Sequence, residues 1–571
     1  MLAALDAWAG GLAGRLAHGL DRLLDWAAGA PWRGVALAAL VAAIMVLPGL
    51  TAMPVTDRDE ARFAQATKQM METGDYVDIR FQDQPRWKKP AGIYWLQAGA
   101  ALPLGGPEAP IAAYRLPSAL AAILAAMALV WAARAVLAPR AAVLAGLMLS
   151  TTILAAAEAT IAKTDATLML TAVVALGALL RVLTDQAGRF TWVVFWLAIA
   201  AAILIKGPIV PVIALLAIAG VAVARRSLPR LGALRPLPGA VLAAALVAPW
   251  LLAIWQISGG GFFEEAVGRD LLGKVAEGQE KHWGPPGLYS LLVWATFWPA
   301  AALLPGALAA AWAERRETLI VLIAAWVLPF WIVLEVVPTK LPHYVLPLYP
   351  ALAMLTAWYA ERGVAPEKRW LLRLSAVIAA LPGIGLGIAA FTLPLALEWA
   401  LVPGALIAGL VAAALSLVAA RAALLGQLRA QAAAGGLASM ALVTAVLQFG
   451  LPSLDTAFPS PRLAAMAAPL VECRGGPVVS LGYREPSLVF HLGTDTRLAT
   501  IPDAAALLGE DPATVLLLED RLRPLLDDAL AEQSISVDLV SHATASYFNY
   551  NRGDFETWQL WSVGGPGDGC S

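Results

Sequence analysis

The sequence predicts an all-α polytopic membrane protein, with about thirteen transmembrane helices and a small C-terminal α/β domain outside the bilayer. Three observations predict it. Only 14% of the 571 residues are charged, against about 25% in a soluble globular chain, and the mean hydropathy is +0.70. Apolar windows near the roughly 20 residues that a spanning helix takes recur between residues 34 and 452. Many of the 21 tryptophans lie near the ends of these windows, where an interfacial aromatic belt sits. A net charge of −1 gives no sign of nucleic-acid binding.

Residues 1–33 read as an amphipathic stretch at the cytoplasmic interface, with Arg15, His18, Asp21, Arg22 and Asp25 on its polar side. Residues 34–452 form the membrane module. Its windows run near 34–53, 109–136, 140–157, 162–183, 190–206, 208–225, 237–257, 286–310, 317–337, 343–361, 370–394, 403–424 and 435–452. Two polar segments interrupt them, 54–108 and 258–285. With the N-terminus inside, every inner turn carries positive charge, from Arg134 and Arg140 through Arg225, Arg226 and Arg315 to Arg362, Arg421 and Arg429. Positive charge in short loops marks the cytoplasmic side. An odd number of crossings then puts the tail, 453–571, outside. In the tail, GPVVSLGY and TVLLLED read as strands, and DAAALLG and RLRPLLDDALAEQ as helices. Cys473 and Cys570 are the only cysteines; they form a disulfide there or stay as two thiols.

The first external segment carries acids early and a basic cluster, Arg86, Lys88 and Lys89, late. Its first half predicts a short helix ending at Gly74. Asp57 with Glu60, or Thr56 with Asp59, makes a capping box, and Asp57 is the plainest cap. Asp59, Arg62, Phe63 and Ala66 share one helical face. That spacing reads either as an exposed Asp59–Arg62 pair or, beside a membrane, as a general base next to cations that clamp a lipid phosphate.

Further polar groups fall at outer helix ends: Glu158, Lys163 and Asp165, then Lys206, then Lys281 and His282, then Lys340, His343 and Tyr344. N-capping is the simplest role for Asp165, which opens an apolar helix. Lys206 stands in an apolar run, where a lysine needs a partner or a route to the interface. A single histidine, His282, reads more simply as an interface residue than as a metal ligand. The convergence of these groups on one face is the stronger signal.

At these residues the chain resembles the GT-C membrane glycosyltransferases of the protein O-mannosyltransferase and lipid A aminoarabinose transferase group, glycosyltransferase family 39-like. The resemblance rests on DEARFAQATKQMMETGDYVDIRF, KKPAGIYWLQAGA, YRLPSALAA, KTDATL, IKGP, HWGPPGLYSLLVWATFWP and TKLPHYVLPLYPALA, in that order over roughly residues 54–360. It implies a bacterial inner-membrane enzyme with its active site and tail in the periplasm. It implies inverting transfer of a single hexose or pentose from a polyprenyl-phosphate donor, without a nucleotide sugar. The acceptor is an envelope lipid, such as lipid A, or a protein.

Asp59 matches the essential loop carboxylate of the group, and Glu60 and Asp165 join it as catalytic candidates. Arg62 and Lys89 match positions that contact the donor phosphate, with Lys206 added to them. Lys88, His282, Lys340 and Tyr344 are candidate substrate contacts. The aminoarabinose transferases carry Glu before the Lys-Pro pair, where it is implicated in a metal site; here that residue is Lys88. An ammonium has no acceptor lone pair, which argues against a bound divalent metal, and no other cofactor is implied. An oligosaccharide ligase or oligosaccharyltransferase is the alternative. A lipid-linked-sugar transporter is expected to show internal repeats and midplane charges instead, and an envelope structural or sensory protein leaves the first loop unexplained.

The charge pattern predicts that cysteines placed at Gln82 and Ser534 both react with an impermeant thiol reagent applied from outside. Reaction of either only after the inner face is exposed overturns the orientation.

Overall fold

The computed structural model describes residues 2–56, 58–273, 283–549 and 554–564. An N-terminal helix, α1 (Leu2–Ala28), lies against the bundle. Its Asp21 pairs with Arg140 at 2.6 Å and with Arg429 at 2.9 Å, and its Asp25 also pairs with Arg140. Arg140 reaches Glu361 at 2.9 Å as well. Basic turns far apart in sequence therefore meet at one end of the bundle through acids of the amphipathic segment.

The membrane module opens with α2 (Pro31–Leu50), whose last turn leaves helical geometry at Pro48 and Gly49. Next come α3 (Asp59–Thr73), a short hairpin of β1 (Arg80–Phe81) and β2 (Gln84–Pro85), and α4 (Gly92–Ala101). Then follow α5 (Ile111–Ala133), α6 (Pro139–Ser150), α7 (Ile153–Ala159), α8 (Asp165–Leu183), α9 (Thr191–Lys206), α10 (Ile209–Arg225) and α11 (Pro236–Ser258). After these, long helices cover Thr318–Val336, Arg369–Glu398, Pro403–Leu424 and Leu428–Val443.

All thirteen predicted windows fall on helical segments, but the count of membrane-length helices is lower. Among the described residues eight helices are long and apolar enough to cross, or ten if the bent pairs α6–α7 (59°) and Leu288–Thr296 with Ala300–Ala313 (112°) each make one span. The remaining windows fall on α9, α10 and Tyr349–Arg362, of 16, 17 and 14 residues. These are shorter than the roughly 20 residues of a full crossing.

α3 forms where the sequence predicts it. Gly74 ends it in the left-handed conformation, φ 71°, with its N–H on Met70 O. One face packs Phe63, Ala66 and Met70 against Tyr94, Trp250, Ile254 and Phe262. The start of α3 is held differently from the predicted Thr56–Asp59 capping box. The backbone N–H and hydroxyl of Thr56 donate to Glu60 Oε2 at 2.8 and 2.9 Å. Asp57 lies outside the described residues.

Glu60 is itself locked. Arg115 of α5 donates to it from Nε and Nη2 at 2.7 and 2.9 Å, with both side chains fully buried. The same guanidinium donates to the carbonyls of Leu50, Met53 and Pro54 at 3.1, 2.8 and 2.8 Å. The N–H of Ala162 completes Glu60 at 2.9 Å. One ion pair thus joins the end of α2, the start of α3, α5 and the turn before α8.

The tail is an α/β layer structure. Its sheet runs β4 (Arg497–Ala499), β3 (Val478–Leu481), β5 (Val515–Glu519), β7 (Asp554–Val563), β6 (Leu539–Asn549), with β4, β3 and β5 parallel and β7 antiparallel to both neighbours. Alternation along β3 and β5 sends Val479, Leu481, Leu516 and Leu518 to the helices Ile501–Glu510 and Arg523–Glu532. Val478, Val515 and Leu517 meet Leu463 and Leu488 of the helices Pro459–Arg474 and Pro486–Leu492 on the other face. Cys473 is disulfide-bonded. The chain's other cysteine, Cys570, and with it the expected Cys473–Cys570 pairing, lies outside the described residues.

The tail docks on the first polar segment. Gln65 Nε2 donates to Thr494 Oγ1 (2.8 Å), which donates to Glu72 (2.7 Å). Gln82 donates to the carbonyls of Thr494 and Thr496, and Arg497 to Asp83 (3.0 Å). Phe490 stands edge-on to Tyr114, centroids 5.6 Å apart.

Removing one partner of a buried ion pair leaves the other charge uncompensated and costs about 3–5 kcal/mol. Arg115→Ala is therefore expected to lose about that much stability, read as a large drop in thermal midpoint in detergent, and Arg115→Lys to recover only part, since an ammonium cannot span the fork. An Arg115→Ala protein as stable as the parent overturns the role given to this pair.

Candidate functional site

A cavity of about 850 Å³ opens where α3, the loop before α4, the start of α8, the end of α9, the 339–344 segment and the tail converge. α3 carries Asp59 to its wall. The preceding Arg58, also in the wall, has φ 66° and ψ −94°, a conformation that a residue with a Cβ rarely holds and that clusters at functional sites. Asp59 is exposed to the cavity, and among the described residues its carboxylate has no hydrogen-bond or ion-pair partner. Arg62, one turn on, lines the same cavity and makes no ion pair with it. The simple surface-pair explanation of their spacing therefore fails.

Arg86, Lys88 and Lys89 enter from the loop before α4. Arg86 lies over the Phe63 ring, 5.1 Å from its centroid, and Lys89 ion-pairs with Asp270. Deeper in, Asp165 is the first residue of α8 and does not cap it; Thr164 holds the cap position without a side-chain bond. Lys206, at the end of α9, donates to Asp165 Oδ1 at 2.6 Å and lies 5.6 Å from the Tyr344 ring centroid. That is the partner a lysine in an apolar run requires.

Lys163 stands 2.9 Å from Glu158 Oε2, 3.8 Å from Asp165 Oδ2 and 3.3 Å from His343 Nδ1. An ammonium has only donors, so Nδ1 is the acceptor and Nε2 carries the imidazole hydrogen. Nε2 is 3.9 Å from Asp165 Oδ2.

The cavity thus brings together Asp59, Arg62, Lys88, Lys89, Asp165, Lys206 and Tyr344. Two expected residues are not in it. Glu60 is buried against Arg115 and has no open oxygen for a substrate, because the carboxylate is the counter-ion that a buried guanidinium needs. Lys340 caps a helix instead: its ammonium donates to the carbonyls of Leu334, Glu335 and Val337 at 2.8, 2.9 and 2.9 Å at the end of Thr318–Val336. His282 lies outside the described residues.

Seven charged or histidine residues of the cavity were not among the site candidates: Arg58, Arg86, Lys163, Asp270, His343, Arg484 and Glu485. His343 was marked in sequence only as a polar group at a helix end. Asp270 and the Arg484–Glu485 pair stand in stretches with no motif, and only folding brings them here.

Glu158, Asp165 and His343 offer three ligand atoms within 4.8 Å of one another. The donor set is nevertheless a poor fit to a divalent ion. Lys163 and Lys206 already neutralise both carboxylates, and a metal must displace an ammonium or sit against it. Lys88, the residue where the resemblance implies a metal-linked acid, supplies no ligand atom.

The helical bundle, the polar cavity at its end and the α/β tail define a polytopic membrane protein of GT-C fold. Residues 88–255 match the family described as dolichyl-phosphate-mannose-protein mannosyltransferase. The chain is 26% identical over 353 residues to the undecaprenyl phosphate-alpha-4-amino-4-deoxy-L-arabinose arabinosyl transferase of Serratia proteamaculans, covering 61% of this chain and 63% of that one. It is 30% identical over 349 residues to the enzyme of that name from Aeromonas salmonicida, covering 58% and 60%. The matches thus span about three fifths of the relatives' length. In fold the chain is similar to ArnT from Cupriavidus metallidurans with bound undecaprenyl phosphate, TM-score 0.73 at 19% identity, over 92% of this chain and 97% of that one.

The lysine-filled donor set predicts that the purified protein carries less than one equivalent of zinc, manganese or magnesium by elemental analysis. A stoichiometric metal overturns this reading of the site.

Proposed function

We propose that the chain is an inverting membrane glycosyltransferase, moving one sugar from a polyprenyl phosphate of the undecaprenyl type to an envelope lipid on the periplasmic face. The observation that carries the proposal is the charge of the cavity. Eight basic side chains line it against four acids, around a carboxylate, Asp59, that no described residue occupies. Such a wall favours an anionic ligand at the membrane surface. The names of the relatives support undecaprenyl phosphate as the carrier, and the neighbour solved with that lipid shares the fold.

In this mechanism the prenyl chain stays in the bilayer while its phosphate sits among Arg62, Lys89 and neighbouring cations. An acceptor oxygen attacks the anomeric carbon from the face opposite the phosphate. The C–O bond to phosphate breaks with its electron pair, and the configuration inverts. Undecaprenyl phosphate leaves with an added negative charge, which the cations stabilise. For a hydroxyl acceptor, Asp59 takes the proton. For a phosphate acceptor, already ionised, Asp59 orients the attacking group. Asp165, bonded to Lys206 through Oδ1 and 3.8 Å from Lys163, positions these lysines.

Radiolabel is expected to pass from an undecaprenyl-phosphate monosaccharide to the lipid fraction of an envelope extract, and not to its protein. Asp59→Asn should abolish this while the protein still inserts. Lys89→Ala should weaken apparent donor affinity roughly ten- to hundredfold, the effect of losing a hydrogen bond to a charged group, and Lys88→Ala less. Transfer to protein, or full activity in Asp59→Asn, counts against the proposal.

A further inference from the structure

The tail has no part in the mechanism above, yet it reaches the cavity. Arg484 and Glu485 stand in its wall beside Asp59 and the basic residues of the membrane module. They belong to the loop between β3 and the helix Pro486–Leu492.

That loop has a particular place in the tail sheet. β3 is the middle of the three parallel strands, with β4 on one side and β5 on the other. The chain leaves β3 toward β4 and then returns past it to β5, so the carboxyl ends of β3 and β5 flank a point where the strand order reverses. Open α/β sheets bind ligands in the crevice outside such strand ends. The backbone is shaped for it: Gly482 follows β3 with φ 106°, and a Cβ there would stand 2.8 Å from the Cβ of Glu519 at the end of β5. Only glycine makes this turn, and the turn aims the next residues at the membrane module.

The docking contacts fix the aim. Thr494, Thr496 and Arg497, on the strand side of the same helix, are bonded to Gln65, Gln82 and Asp83 of the segment that carries Asp59, Lys88 and Lys89. Arg484 is exposed and lines the cavity, and its one hydrogen bond is a long one, 3.4 Å to Leu498 O.

We propose that the loop of Arg484 and Glu485 is the acceptor subsite, with Arg484 holding a phosphate on the saccharide head of the lipid that receives the sugar; this rests on the function proposed above. The division of the cavity follows from where each head group reaches. The donor phosphate is joined directly to a prenyl chain and stays at the bilayer surface, among residues of the membrane module. A saccharide head on an acceptor lipid projects farther into water, to the wall built by the soluble tail. A guanidinium suits a phosphate by bidentate donation, and the adjacent carboxylate accepts from sugar hydroxyls. Removing Arg484 then affects one substrate and spares the other.

The test uses the full-length protein in detergent, an undecaprenyl-phosphate monosaccharide as donor, and envelope lipid extract, untreated or phosphatase-treated, as acceptor. Arg484→Ala is expected to raise the half-saturating amount of untreated extract about tenfold or more, with undecaprenyl phosphate affinity within about twofold of the parent. Phosphatase treatment should impair the parent and leave Arg484→Ala little changed, and Arg484→Lys should recover part of the loss. Retained undecaprenyl phosphate binding shows that the variant is folded. Unchanged extract dependence overturns the proposal, as does an equal loss of donor affinity, which moves Arg484 to the donor phosphate. If the parent transfers to no lipid, the functional reading itself has failed.

Discussion

The buried pair of Glu60 and Arg115 is the interaction on which the site depends. Two charges without solvent are costly unless every donor and acceptor is satisfied. Here the guanidinium is spent on a carboxylate and on the carbonyls left open where α2 breaks at Pro48 and Gly49. The carboxylate in turn holds Thr56 and Ala162. The pair therefore sets the start of α3, and with it the neighbouring Asp59, against the turn that precedes Asp165. Neighbouring acids on one helix take opposite tasks: Glu60 faces inward and fixes the scaffold, and Asp59 faces outward into the cavity.

The same electrostatic economy runs through the cavity floor. Glu158 and Asp165 are buried, and each is matched by a lysine ammonium. This neutral cluster holds Lys163 and Lys206 in place without quenching the cations nearer the opening. The six remaining basic groups of the wall, Arg58, Arg62, Arg86, Lys88, Lys89 and Arg484, repel one another. Buried acids beneath them and Asp270 beside Lys89 offset part of that repulsion.

The cavity is completed by two chain segments more than four hundred residues apart. Side-chain amides and backbone carbonyls join the first polar segment to the tail, with one aromatic contact under them. These bonds, with the exposed Arg497–Asp83 pair, are directional, so they fix the tail's register on α3 more than they add hydrophobic stability.

Composition and periodicity alone determined the membrane class, because a chain so poor in charge has to bury its apolar helices in lipid. Local chemistry also determined α3 and its end at Gly74, and it marked Asp59, Arg62, Lys89, Asp165 and Lys206, since acids and lysines at the ends of apolar helices are costly without a purpose. The resemblance joined these into one site. The separation of Glu60 from Asp59 was not legible, because it depends on Arg115, 55 residues away. Nor was the helix-capping of Lys340, which needs the carbonyls at the end of the preceding helix in three dimensions. Which windows form one unbroken membrane-length helix was not legible, because hydropathy adds up residues and does not register a bend of 112° or a helix that stops early. Asp270, Arg484 and Glu485 carry no local signal at all. Only the tertiary structure places them in the cavity, because a side chain's surroundings depend on which distant segments pack beside it.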